Sequence, residues 1–205
     1  MGSFDINVLL IPQRPDQRSR PDLNCAFESF SAGTILVLLL TTQPSFDSDM
    51  NHLSHTIARE LIHQFTDFKR RVRTLAQELN EEQFWIKPYA YGNSFGNLVL
   101  HVTGNLNYYI GAQIAETGYI RKRELEFTET HVGKKEESLK ALDAAIETVI
   151  ATLETQTDSD WEHSYSAVGV DDVNSRFGIY LRCAVHFHHH IGQMIYLVKE
   201  LTRAS

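Results

Sequence analysis

The stretch LSHTIARELIHQFTDFKRRVRTLAQEL, residues 53–79, places apolar side chains at Leu53, Ile57, Leu61, Phe65, Phe68, Val72, Leu75 and Leu79, at successive spacings of 4, 4, 4, 3, 4, 3 and 4. A helix turns about 100° per residue, so these positions form one stripe along a helix from Asn51 to near Asn80. Arg59, Glu60, Lys69, Arg70 and Arg73 fall on its wet faces. The same period returns three times. A second helix is expected from about Phe95 to Thr117, opened by an N-cap oxygen of Asn93 or Ser94 and stopped at Gly118. A third, from about Lys134 to Leu153, carries Leu139, Leu142, Ala145, Ile146, Val149, Ile150 and Leu153, with alternating Lys and Glu on its solvated face. The last, from Ser175 to Thr202, carries Phe177, Leu181, Ala184, Val185, Ile191, Ile195, Val198 and Leu201.

Between these helices, Phe84 to Gly96 reads as a loop, with Pro88, Gly92 and three aromatics. Arg121 to Phe127 reads as a charged, solvated connection, and Thr155 to Asn174 as an extended crossover. Four amphipathic helices without a strand pattern imply an all-α four-helix bundle, because each stripe must be buried against its neighbours. The long third connection permits a crossover topology. Residues 1–49 read differently. They hold Pro12, Pro15, Pro21 and Pro44, a polar run from Gln13 to Asn24, and no sustained period, although Thr34 to Leu40 is apolar enough for a short strand or helix. This part is expected to be an irregular N-terminal extension or a mis-assigned start, with the bundle domain spanning residues 50–205.

Composition narrows the classes of function. The 205 residues are 42% hydrophobic and 22% charged, which suits a packed core and excludes a wholly disordered chain. Lys and Arg number 19 against 26 Asp and Glu, a formal charge of −7. With no dense basic block, a phosphate backbone has nothing to grip, so a nucleic-acid partner is not expected. Cys25 and Cys183 are too few for a disulfide framework and indicate a reducing compartment. The longest apolar run, Ile35 to Leu40, falls far short of the roughly 20 residues that span a bilayer. No membrane partner is expected, and the cytoplasm is the expected location.

The chemistry concentrates in histidine. His186-Phe187-His188-His189-His190 lies inside the last helix, where four residues turn the chain by about 400° and advance it by roughly 6 Å. His186 and His190 therefore share one face, at the spacing with which zinc proteases grip their metal. The protease's Glu is absent between them, so that reading lacks its base. His101, on the inward part of the second helix with Leu98, Val102 and Asn105, is the candidate third ligand. Alone, such a residue is ordinarily a hydrogen-bonded core histidine. Three histidines from two helices leave a coordination position open, the mark of a catalytic site.

Other residues take lesser roles. Asn97, Asn105 and Gln193 are candidates for fixing imidazole tautomers or contacting a polar cofactor or substrate. His188 is expected to face solvent or a neighbouring subunit, His189 to lie at the surface or to brace a ligand, and Cys183 to pack as a small hydrophobe. Tyr108 and Tyr109 read as packing, and Arg121, Lys122 and Arg123 as solvated.

The string His186-Phe187-His188-His189-His190-Ile191-Gly192-Gln193, with Asn97-Leu98-Val99-Leu100-His101 on an earlier helix, resembles the DinB/YfiT-like metalloenzyme family across roughly residues 51–203. That resemblance implies a four-helix bundle, often dimeric, with a metal held by one His of the second helix and by an H-x-x-x-H pair of the last. Position by position these are His101, His186 and His190. It further implies a thiol-dependent transferase or isomerase that uses a low-molecular-weight thiol such as bacillithiol or mycothiol. A divalent Zn, Ni or Fe ion held by neutral imidazoles can lower a thiol's pKa and present the thiolate to a small electrophilic substrate. Two further readings stand beside it: a metal-dependent hydrolase drawing a base from Asp171, Asp172 or Glu200, and a non-enzymatic bundle that binds metal or dimerises.

Overall fold

The computed structural model describes residues 46–128 and 135–203, with side chains from Leu53 onward. The described residues form an all-α fold of four long helices and short linking ones. Helix α1 spans Phe46–Gln77, α2 Glu81–Trp85, α3 Phe95–Leu106 with a π-helical continuation over Asn107–Ala112, α4 Leu125–Thr128, α5 Lys135–Glu154, α6 Asp158–Glu162 and α7 Arg176–Thr202. Helix α1 begins ahead of Met50, so the expected boundary at residue 50 falls inside a continuous helix. The expected irregular extension and its apolar run Thr34 to Leu40 lie outside the described residues, except for residues 46–49 in the first turn of α1.

Helices α1 and α3 each pack against both α5 and α7. The consecutive pairs α1/α3 and α5/α7 are therefore diagonal in the bundle, and two connections cross it rather than one. The first crossing carries α2, whose capping box on Asn80 and Gln83 satisfies exposed N–H groups and whose Phe84 and Trp85 are buried. Trp85 lies flat on the start of α3, where a Cβ at Gly96 would come within 2.5 Å of its ring. The expected loop is thus helical at its beginning, where Phe84 and Trp85 join the core, while Tyr89 and Tyr91 stay exposed. The second crossing, 155–174, carries α6 with buried Trp161, and is tied to the body by the Tyr165 hydroxyl donating to the Tyr109 carbonyl at 2.9 Å.

Every residue of α3 except Leu100 is buried, so this helix is the axis of the fold. Ser94 caps it, with its hydroxyl accepting from the Asn97 N–H at 3.0 Å. The helix ends at Ala112 rather than at the expected Thr117, because it widens into a π turn. The Thr117 N–H then bonds back to the Gly111 carbonyl at 3.0 Å, and Glu116 takes a left-handed backbone (φ 53°), the geometry of a helix C-terminal cap. Gly118, the expected stop, follows at φ 73°.

Helix α7 carries apolar residues on two faces. The buried face is Ile179, Tyr180, Cys183, Phe187, Ile191 and Met194, while Phe177, Leu181 and Val185, expected inside, are exposed. Periodicity identifies a stripe but not which of two stripes meets the bundle. On the buried face the Phe187 ring lies 5.1 Å from that of Phe68 in α1, and Arg73 of α1 bonds Asp143 and Glu136 of α5 across the opposite seam. Truncating Phe187, 0% exposed, should cost about 3–5 kcal/mol in urea denaturation. Leu181→Ala, at a site 47% exposed in the single chain, should stay within about 0.5 kcal/mol when the monomer is unfolded at high dilution; similar losses at both sites there would contradict this assignment of faces.

Candidate metal centre

The fully packed environment of α3 holds His101 at 6% exposure, facing His186 and His190 across the bundle from α7. The His101 Nε2 lies 3.0 Å from the His186 Nε2, which lies 3.1 Å from the His190 Nε2. One nitrogen from each ring falls within 4.8 Å of the others, close enough for one ion to be shared by all three. The i,i+4 spacing of His186 and His190 is the helical geometry expected from the chain, and His101 meets them from the facing helix.

The outer nitrogens decide what the inner ones can do. The His101 Nδ1–H donates to the Glu126 Oε2 at 2.8 Å, and the His190 Nδ1–H donates to the Gln193 Oε1 at 2.7 Å. Each of these rings, when neutral, spends its only proton on that bond, which leaves Nε2 with a bare lone pair directed at the shared point. The His186 Nε2 faces both of these nitrogens, and in its Nδ1-protonated neutral form the ring directs a third lone pair at the same point. Burial, reinforced by the adjacent imidazoles, pushes His186 down to about 3, and burial pushes His190 down to about 4. Both rings are therefore neutral near pH 7, the form that ligates a metal.

Glu126 was not anticipated. It lies within the Arg121–Phe127 connection expected to be solvated, yet its side chain is 6% exposed. Arg121 grips it in a two-pronged pair, with Nε on Oε1 at 2.7 Å and a terminal nitrogen on Oε2 at 2.8 Å, and is itself 9% exposed. Burial works to raise the Glu126 pKa, but the hydrogen bonds from His101 and Arg121 outweigh it and hold the carboxyl below its ordinary range. An ionised carboxylate accepts only, which settles the His101 tautomer.

Gly104, one turn from His101, makes room for this carboxylate. A Cβ there would overlap the Glu126 Oε1 and carboxyl carbon. The backbone of Glu126 is held as well, since the Asn97 side-chain N–H donates to its carbonyl at 3.2 Å. Asn97 Oδ1 meanwhile accepts from the Ser94 hydroxyl at 2.9 Å, so Asn97 braces Glu126 and the start of α3. Gln193 links His190 to His189, donating to the His189 Nε2 at 3.1 Å. Among the three expected polar contacts, only Asn105 lines the cavity above the histidines, with its Oδ1 3.7 Å from the Cys183 Sγ.

That cavity measures about 720 Å³ and has His101 and His186 in its wall. The π turn after α3 delivers Tyr108 and Tyr109 to it, and the Tyr109 hydroxyl reaches the Val168 and Gly169 carbonyls at 3.3 and 3.4 Å. His188 is exposed, its ring 5.7 Å from that of Phe68. Cys183 is buried as a small hydrophobe, with its thiol pushed up to about 12 by burial.

The Glu126 carboxylate and the space at Gly104 give the first test of the site. Glu126→Gln and Gly104→Ala should each weaken Zn²⁺ affinity by about 10–100-fold in competition titrations, by releasing His101. Gly192→Ala, where an added Cβ meets nothing within 4 Å, should leave affinity unchanged. Unaltered affinity in both of the first two variants would separate Glu126 from the site.

Among the described residues no helix is long and apolar enough to cross a membrane. The sequence profile of a family described as protein of unknown function, DUF1572, matches residues 52–205. No curated protein matches the sequence. Among solved structures, a DinB-like protein, YjoA of Bacillus subtilis, aligns with a TM-score of 0.50 at 17% sequence identity, covering 69% of this chain and 92% of that one. At such identity the likeness concerns the fold alone. The chain belongs to the DUF1572 family and has the all-helical DinB-like fold.

Proposed function

We propose that the chain is a metal-dependent S-transferase in which His101, His186 and His190 hold a divalent ion, Zn, Ni or Fe, that activates a low-molecular-weight thiol toward a small electrophile. The observation that carries this reading is the convergence of three imidazole Nε2 atoms, two of them on rings anchored through Nδ1 to Glu126 and Gln193. Three neutral nitrogen donors with an open side fit a catalytic ion of this kind. Such an ion, when bound, supplies a Lewis acid that favours the thiolate over the thiol.

The chain's own residues do the rest. Glu126, charged and held by Arg121, keeps the His101 lone pair aimed at the shared point. The tyrosines and arginines of the cavity give a small molecule its place beside the histidines. The thiol comes from outside the described residues, because Cys183 is sealed in the core and its thiol is held far from ionisation. The hydrolase alternative finds less support. No Asp or Glu is among the described residues lining the cavity; Asp172 pairs with Arg182, Glu200 pairs with Arg203, and Asp171 is exposed. A homodimer is part of the proposal. Phe177, Leu181, Val185 and Tyr196 are all exposed on one face of α7, a stripe that a second copy would cover.

Elemental analysis of the full chain reconstituted with Zn²⁺, Ni²⁺ or Fe²⁺ should find about one ion per chain. Consumption of a thiol by an electrophile such as an activated haloarene should require that ion. His190→Ala should lose both together. Thiol transfer that survives loss of the ion would refute the proposal, and turnover that needs no thiol would favour the hydrolase.

A further inference from the structure

The cavity above the histidines has the opposite electrical character to the protein around it. The chain carries a net −7, yet three arginines, Arg121, Arg123 and Arg182, line this one cavity, and no Asp or Glu is among its described lining residues. Arg121 is committed to Glu126. Arg182 gives its Nε to exposed Asp172 at 3.2 Å, and its terminal nitrogens bond to no other group among the described residues. Arg123 lies over the Phe127 ring at 5.4 Å and has no ion pair among the described residues. Two guanidinium groups are thus available to a ligand, at a wall that also presents Tyr108, Tyr109 and Tyr119. Exposed Ile120 and Val168 sit among the same lining residues.

We infer that the cavity selects a small molecule with an oxyanionic head group, carboxylate or phosphate, on an aromatic or apolar body. The head group takes Arg123 and Arg182 as its partners, and the body lies along the tyrosines toward the three histidines. Guanidinium forks match the planar, two-oxygen edge of a carboxylate or phosphate, and the same positive charges would repel a cationic head group. This rests on the reading that the cavity over the histidines is the substrate site, but it does not depend on the ion's identity.

The experiment uses the full chain after chelation, because a bound metal would itself attract anions. Ligand-observed NMR at low salt would compare 3-phenylpropionate, phenyl phosphate and neutral 3-phenylpropanol. The anions should bind about tenfold more tightly than the alcohol, with the advantage shrinking as salt rises. The preference should vanish in the Arg123→Ala, Arg182→Ala double variant and persist in part in the paired Lys variant, whose thermal melt also checks the fold. The two anion arms show whether carboxylate or phosphate is the better head group. Equal binding of anion and alcohol, no binding of any probe, or a preference that survives removal of both arginines would overturn the inference. A chain that keeps the anion preference but takes up no ion when reconstituted with Zn²⁺, Ni²⁺ or Fe²⁺ would sink the transferase reading and leave this one standing.

Discussion

The buried carboxylate of Glu126 is the constraint around which the centre is organised. It faces Arg121 through both oxygens and His101 through one, in the space left by a missing side chain at Gly104. A buried charge is tolerable only when its partners are all present, and removal of one partner from such a pair costs about 3–5 kcal/mol. Arg121, His101, Glu126 and Gly104 therefore stand or fall together. The result is a ring whose proton is fixed on the outer nitrogen and whose inner nitrogen can only accept. On α7, Gln193 does the same for His190 with a neutral amide. The two helices thus present differently braced imidazoles to one point.

The fold serves this arrangement by placing α3 on the axis. Because α1 and α3 are diagonal, α3 contacts α5 and α7 at once and is buried along almost its whole length. A histidine there has its surroundings dictated by packing rather than by solvent. Directly beyond His101 the helix widens into a π turn, the kind of local irregularity that recurs at functional sites. That turn brings Tyr108 and Tyr109 to the cavity, while the crossover 155–174 closes over them through Tyr165 and the carbonyls of Val168 and Gly169.

How much of this was legible in the chain follows from the range of each interaction. The 53–79 stripe and the His186/His190 pair depend only on helical pitch, so both could be read directly. His101 was legible as an inward residue, because its neighbours Leu98 and Val102 mark the face. Glu126 was not, since it sits in the run RKRELEF, where every local signal says solvent; its burial arises from the contact of α4 with α3 and from the absent side chain of Gly104, distant in sequence. The two apolar faces of α7 carry nearly equivalent periods, and only the packing of α1, with Phe68 against Phe187, shows which one is inside. The double crossing was equally hidden, because connection lengths permit adjacent or diagonal helices alike.

X-ray absorption spectroscopy of the zinc-loaded full chain tests the central claim most directly, since it counts the donors at the ion itself. Three imidazole nitrogens at about 2.0–2.1 Å, with a fourth, exchangeable oxygen donor from water, are the predicted shell. A sulfur donor from the chain, fewer than three imidazoles, or a shell unchanged when His101 is replaced would contradict it.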